Sequence, residues 1–159
     1  MRVLGIDVGF AICGWSIVDK VEDGGFKLID FGVITTGKEL EIPERLEIIY
    51  SGFQMIIDKY KPEEVAIEDI FFFKNEKTII NVSQVRGVIL LASYQTKLKI
   101  YKYTPLQVKM AVTGYGRAEK KAVQEMVKRI FKLSYIPEPD DAADAVAIAY
   151  CHHNNIKYD

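Results

Sequence analysis

The feature that most constrains this chain is the stretch Val3-Leu4-Gly5-Ile6-Asp7-Val8-Gly9. It is apolar, rich in β-branched residues, too short for a helix, and lacks the alternation of a half-exposed strand. Such a run fits a strand covered on both faces, which commits the chain to a layered α/β architecture. The run ends on a carboxylate followed by a glycine. Gly9 permits a tight exit, and Asp7 is left at the carboxyl end of the strand, where open α/β sheets place their chemistry. A turn-initiating role would account for Asp7 alone. Further acids in similar positions make it part of a pattern.

The remaining elements follow in order. Ile12 to Val18 and Phe26 to Ile34 read as strands joined by the turn residues Glu22-Asp23-Gly24-Gly25. Pro43 opens a helix to about Tyr60, with Leu46, Ile49, Phe53, Ile56 and Ile57 on one face, and Lys61-Pro62 ends it. Glu64 to Glu68 is a second apolar strand that ends on a carboxylate. Glu76 to about Thr96 is a long helix with one stripe of Ile79, Val82, Val85, Ile89 and Ala92, and a second band of Ile80, Val88 and Leu91. A helix this apolar is either deep in a core or shares a face with another subunit. Lys99 to Tyr103 is a fifth strand, Thr104-Pro105 caps the next helix, and Arg117 to Lys121 opens another to about Phe131. The expected fold is α/β: a five-stranded mixed sheet, its first three strands a meander, flanked by helices within a single domain spanning residues 1–159.

The last helix starts at Pro137-Glu138-Pro139-Asp140-Asp141-Ala142-Ala143-Asp144, with Asp140 as its expected N-cap. Asp141 and Asp144 are three residues apart and share a face. The following Ala145-Val146-Ala147-Ile148-Ala149-Tyr150-Cys151 is apolar on all sides, so the helix is expected to be buried. Its alanines allow a close approach to the sheet. Asp7, Glu68, Asp141 and Asp144 can then converge. An all-oxygen cluster selects hard ions such as Mg²⁺ or Mn²⁺, and crowded carboxylates need such a cation.

Charge is segregated along the chain. Residues 1–96 carry ten Lys/Arg against fifteen Asp/Glu, residues 97–132 ten against two, and residues 133–159 one against five, within a net charge of −1. The basic middle points to a polyanion, and the reading favours nucleic acid. No apolar run approaches the roughly 18 residues of a membrane span, and the N-terminus enters a strand at once, so the expected location is the cytoplasm. Cys13 and Cys151 have neither zinc-site nor disulfide-framework spacing and are expected as buried thiols. Phe71-Phe72-Phe73 either plugs the core or presents a ring that stacks on bases.

Leu4-Gly5-Ile6-Asp7, Ala66-Ile67-Glu68, Gln107-Val108-Lys109, Ala118-Glu119-Lys120 and Asp140-Asp141-Ala142-Ala143-Asp144-Ala145 together resemble the RuvC-type Holliday junction resolvases, in order from Leu4 to about His152. No single piece is specific; five in register are. The resemblance implies a ribonuclease-H-like fold, a homodimer, and a Mg²⁺-dependent endonuclease that resolves four-way DNA junctions by paired symmetric nicks in recombination and repair. Two Mg²⁺ per site are expected, with Mn²⁺ as a substitute, and the RuvA-RuvB branch-migration complex as a partner. By motif position Asp7, Glu68, Asp141 and Asp144 take the metal-binding and catalytic roles, joined by Lys120. Phe71, Arg86, Lys109, Arg117, Lys120 and Lys121 are the expected DNA contacts, with Phe71 at the junction centre.

Departures from the family pattern are Asp7-Val8-Gly9-Phe10, where it commonly has Asp-Pro-Gly-Ser, and Asp69, where it often has Gln. Asp69 is expected to face solvent, and His152-His153 to have no special role. The alternatives are a nuclease of the same fold acting on structured RNA and a non-catalytic nucleic-acid-binding relative. An actin-like ATPase half also begins with Asp-x-Gly, but needs a second domain and phosphate loop for which 159 residues leave no room.

Overall fold

A computed structural model of the chain describes residues 1–69 and 76–155. Phe71 and its two aromatic neighbours lie outside the described residues. The sheet is made of β1 (Arg2–Asp7), β2 (Ile12–Lys20), β3 (Phe26–Thr35), β4 (Glu64–Glu68) and β5 (Lys99–Tyr103), in spatial order β3-β2-β1-β4-β5. The first three strands form the antiparallel meander, and β4 and β5 add in parallel beyond β1. The helices are α1 (Ile42–Tyr60), α2 (Glu76–Gln95), α3 (Pro105–Thr113), α4 (Lys120–Ile130) and α5 (Asp140–Asn155).

Strand alternation divides the core in two. Leu4 and Ile6 of β1, Cys13 and Ile17 of β2, and Val65 and Ile67 of β4 pack with Ile49, Phe53, Val85 and Ile89 of α1 and α2. Val3, Val18, Ala66 and Tyr103 face the other way, onto α3, α4 and the alanine-rich α5. Central-strand residues such as Leu4, Ile6 and Ile67 are fully buried, each burial favouring the fold by about 1.5–3 kcal/mol. Both cysteines are buried and free, as their spacing predicts.

Local signals set the helix ends. Glu41 and Glu44 form a reciprocal capping box around Pro43, and Lys61 closes α1 in the left-handed conformation. Thr104 and Gln107 cap α3 in the same reciprocal way, and Gly114 ends it at φ 76°. Helix α4 starts at Lys120 rather than Arg117, because the chain first turns to bury Ala118, whose N–H donates to the Tyr115 carbonyl at 3.1 Å. Asp140 is not a side-chain cap. It is the first helical residue of α5, and its carboxylate accepts from Gln124 at 2.9 Å and pairs with Lys120 at 3.4 Å.

Candidate active site

In the parallel register of β1 and β4, Ile6 lies opposite Ile67, so Asp7 and Glu68 are the next residues on adjacent strands about 4.8 Å apart. Both follow the parity of Gly5 and Ala66, which face α5. Across β1 on the other side, Asp7 is paired in register with Gly14 of β2. Helix α5 crosses directly over these strands. A Cβ at Gly14 would fall 2.0 Å from the Asp141 carbonyl oxygen, and one at Gly5 would fall 2.3 Å from that of Ala145. The buried Ser16 hydroxyl donates to the same Ala145 carbonyl at 2.9 Å and pins the crossing. The first turn of α5 thereby carries Asp141 and Asp144 over the strand ends that bear Asp7 and Glu68.

The electrostatics confirm the crowding. Burial, followed by the charges of Asp144, Glu68 and Asp141, pushes the Asp7 carboxyl up to about 8. Glu68 is pushed to about 6 by burial and Asp144, against the opposing pull of Lys109 and Lys120. Asp144 is raised chiefly by burial, although Lys120 opposes this from 3.3 Å. Burial alone would lower the Lys120 pKa, but Asp144 and Asp140 outweigh it and raise it. Lysine at the start of α4 is disfavoured by the helix dipole, and these α5 carboxylates offset that cost.

Lys109, Lys120, Glu68 and Asp144 line one cleft of about 290 Å³ with Pro105, Val108, Val123, Ala147 and Ile148. Asp141 opens instead onto a groove of about 420 Å³, shared with residues 8–12 and with Thr78, Asn81 and Val82 of α2. Glu68 and Asp144 thus border one cleft and Asp141 the other, with Asp7 lining neither. Of the other basic residues singled out, Arg117 and Lys121 are exposed and line neither cleft. Arg86 is largely buried: its guanidinium pairs with Asp69 at 2.8 Å and reaches the Glu68 carbonyl at 3.5 Å.

Asp69 therefore does not simply face solvent, because the end of β4 meets the third turn of α2. His152 is likewise not idle. It is fully buried, with Nδ1 2.6 Å from the Tyr103 hydroxyl and Nε2 2.7 Å from Glu64. Glu64 begins β4 while Glu68 ends it, so this network anchors the far end of α5. Local sequence carries no signal for either pairing, since both depend on contacts between distant elements.

The donor set suits a hard divalent cation: four carboxylates, oxygen only, two of them raised above their ordinary range by burial first and by neighbouring carboxylates second. Among the described residues, no three Asp, Glu, His or Cys side chains enclose an ion as they stand. Lys120 holds Asp144 towards itself, so closure around a cation requires side-chain rotation.

The chain is similar to known proteins over nearly its whole length. The family model described as Crossover junction endodeoxyribonuclease RuvC matches residues 3–152. Relatives of that description in Fusobacterium nucleatum and Halothermothrix orenii are 54% and 52% identical, covering 98% and 99% of this chain and 82% and 94% of theirs. Among solved structures, Thermus thermophilus RuvC in complex with Holliday junction substrate superposes with a TM-score of 0.88 at 30% identity, over 96% of this chain and 92% of that one. The yeast mitochondrial Holliday junction resolvase Ydc2 shares the fold at 14% identity, with a TM-score of 0.73 over 96% of this chain and 77% of that one.

Proposed function

The chain belongs to the RuvC family of crossover junction endodeoxyribonucleases, and from that premise we propose that Asp7, Glu68, Asp141 and Asp144 are the catalytic acids of a Mg²⁺-dependent nuclease that resolves four-way DNA junctions. The observation that carries this reading is the helix crossing that brings α5 carboxylates onto the paired ends of β1 and β4. A bound pair of Mg²⁺ ions, replaceable by Mn²⁺, would activate water and neutralise charge at the scissile phosphate. Asp7, Glu68, Asp141 and Asp144 would hold such ions. Lys120 limits repulsion within the cluster and, with Lys109, presents positive charge where a phosphate would enter the adjoining cleft. Arg117 and Lys121 serve as further DNA contacts and Phe71 stacks at the junction centre, while Arg86, expected from sequence as a DNA contact, is instead largely buried against Asp69 and the Glu68 carbonyl and steadies the end of β4. A gel assay comparing a four-way junction, duplex DNA and an RNA–DNA hybrid, with Mg²⁺ and with EDTA, tests the reading. Selective, metal-dependent nicking of the junction is expected; preference for the hybrid would overturn it.

Lys120 is half exposed and supports no core packing, so Lys120→Ala should fold normally. Nicking should fall about a hundredfold, as when one charge-stabilising donor is removed from a site. The slope of log affinity against log salt should flatten by about one. Stopped-time nicking and salt-titrated binding read the two effects separately.

Paired nicks need two acid clusters, and we propose a homodimer built on α2. Its inner side is Val82, Val85, Ile89 and Ala92. Its outer side carries Ile80, Leu91 and Tyr94, at 58%, 53% and 82% exposure, with Gly87 between them. Positions 80, 87, 91 and 94 follow the spacing of a helix-pairing seam, and a glycine there lets two backbones approach. Nothing lies within 4 Å of a Cβ at Gly87 in the single chain. Gly87→Leu should therefore leave the protomer intact while raising the dimer dissociation constant about tenfold or more, equivalent to at least about 1.4 kcal/mol. Sedimentation equilibrium checks this, and an unchanged constant rules out this seam. Docking of the RuvA-RuvB branch-migration complex on the DNA-bound dimer, in the cytoplasm, completes the proposal. No helix among the described residues is long and apolar enough to cross a membrane.

A further inference from the structure

The segment that follows Asp7 is held by a side chain from the opposite layer. Arg45, in the first turns of α1, is only 8% exposed, and among the described residues it pairs with no carboxylate. Its guanidinium carbon lies 3.7 Å from the centroid of the Phe10 ring. Its Nε donates to the Thr36 hydroxyl at 2.9 Å, and that hydroxyl donates in turn to the Phe10 carbonyl at 2.6 Å. The Thr36 N–H donates to the Ala11 carbonyl at 2.9 Å. Ring and backbone of the loop are thus tied to one point, three residues beyond Asp7. There is little slack between the two, since Gly9 turns so sharply that a Cβ would lie 1.9 Å from the Ile12 carbonyl oxygen. The same loop forms one wall of the groove that Asp141 borders.

Most of the Arg45 side chain is covered yet gains no ion pair among the described residues, and a purely structural plug at this position would be better served by an aliphatic chain. What the guanidinium adds is direction: a flat face for the Phe10 ring and a fixed N–H for Thr36. We propose that Arg45 is a positioning residue for the first catalytic acid, setting through Phe10 and Thr36 where the Asp7 carboxylate stands relative to Asp141. This rests on the role assigned to Asp7 above. It also gives the Phe10 ring a function, as the face on which the guanidinium rests.

The experiment compares parent, Arg45→Met, Arg45→Lys and Phe10→Leu. It measures Mn²⁺ binding to the metal-free protein by calorimetry, single-turnover nicking at saturating junction, and junction affinity in EDTA. Arg45→Met should weaken Mn²⁺ binding about tenfold, the usual scale for loss of a group that orients a ligand. Its single-turnover rate should fall about tenfold to a hundredfold. Junction affinity should stay within about twofold, because no phosphate contact is touched. Arg45→Lys should recover little of either loss, because an ammonium offers Phe10 no flat face and has no N–H fixed at the Nε position, and Phe10→Leu should reproduce the losses in part. If Arg45→Met does not fold, Phe10→Leu decides the matter alone. A folded Arg45→Met, or in its place Phe10→Leu, that binds Mn²⁺ and nicks like the parent overturns the positioning role, as does full rescue by Arg45→Lys, which would leave positive charge alone as the requirement. A parent that neither binds Mn²⁺ nor nicks overturns the acid-site reading itself, and this inference with it.

Discussion

Asp7→Asn should abolish junction nicking in Mg²⁺, by on the order of a thousandfold or more, while binding the junction in EDTA as tightly as the parent or more tightly. The two activities separate because they rest on different charges. Affinity for the phosphate backbone comes from the Lys/Arg-rich residues 97–132, through counterion release. The carboxylates work against it until a cation screens them. Asp144→Asn should behave alike, with the added consequence that Lys120 loses one of its two carboxylate partners, keeps Asp140 at 3.4 Å, and meets a phosphate more readily. If Asp144→Asn nicks at the parental rate, Asp144 is only a first-turn helix acid and the two-metal reading fails.

The same substitution changes stability in a direction that the environment of Asp7 dictates. Its carboxyl is raised from 3.8 to about 8 in the folded protein, first by burial and then by Asp144, Glu68 and Asp141. The folded state therefore holds this proton more tightly than the unfolded chain. The associated stability is complete below the unfolded value and is lost as pH rises through about 8. Metal-free parent protein should melt at progressively lower temperature between about pH 4 and pH 8, and added Mg²⁺ should reverse the loss by binding the ionised acids. Asp7→Asn should flatten this dependence and melt higher than the parent at pH 8 without metal. Thermal melts across that range, with and without Mg²⁺, check both signs.

Much of this site is legible in the chain because its signals are local. A run such as Val3 to Asp7 can only be a central strand, Glu64 to Glu68 repeats it, and the three-residue spacing of Asp141 and Asp144 puts them on one helix face. The mixed sheet and its opening meander are legible in the same way, whereas the parallel pairing of β1 with β4, which sets Asp7 beside Glu68, is a contact between distant segments that only the structure supplies. What stays hidden are pairings between elements far apart in sequence. Asp69 gives no sign of Arg86, seventeen residues on, and nothing around His152 points to Glu64 or Tyr103. The end of α5 matters as much as its start, yet only the packed structure reveals that the buried imidazole is fully engaged. Likewise the two apolar bands of α2 look equivalent in sequence, and the register of packing decides that Val85 is buried while Leu91 is open.

Gly14→Ala should damage nicking far out of proportion to the one methyl it adds, and the reason lies in what the added carbon would meet. It would stand 2.0 Å from the Asp141 carbonyl oxygen, 2.4 Å from its carbon and 3.1 Å from the Ala142 nitrogen. These are backbone atoms of a helix, so no side chain can swing aside; α5 must lift or tilt as a body. Overpacking of this kind costs about 1–3 kcal/mol, or roughly 2–12 °C of melting temperature in a chain of this length. Activity should fall much further than that stability loss implies. Gly14 is the residue opposite Asp7 in the β1–β2 register, and the helix atoms it would strike belong to Asp141 itself. Displacement therefore begins between two of the proposed acids, where a shift of about 1 Å can cost a hundredfold. Ser16→Ala offers the comparison: it removes the hydrogen bond to Ala145 without adding bulk, and should lower stability by about 1 kcal/mol with a smaller effect on nicking. Melting curves and nicking rates taken well below the transition separate the two variants. If Gly14→Ala nicks in proportion to its folded fraction, the close seat of α5 is a matter of packing alone and does not set the spacing of the acids.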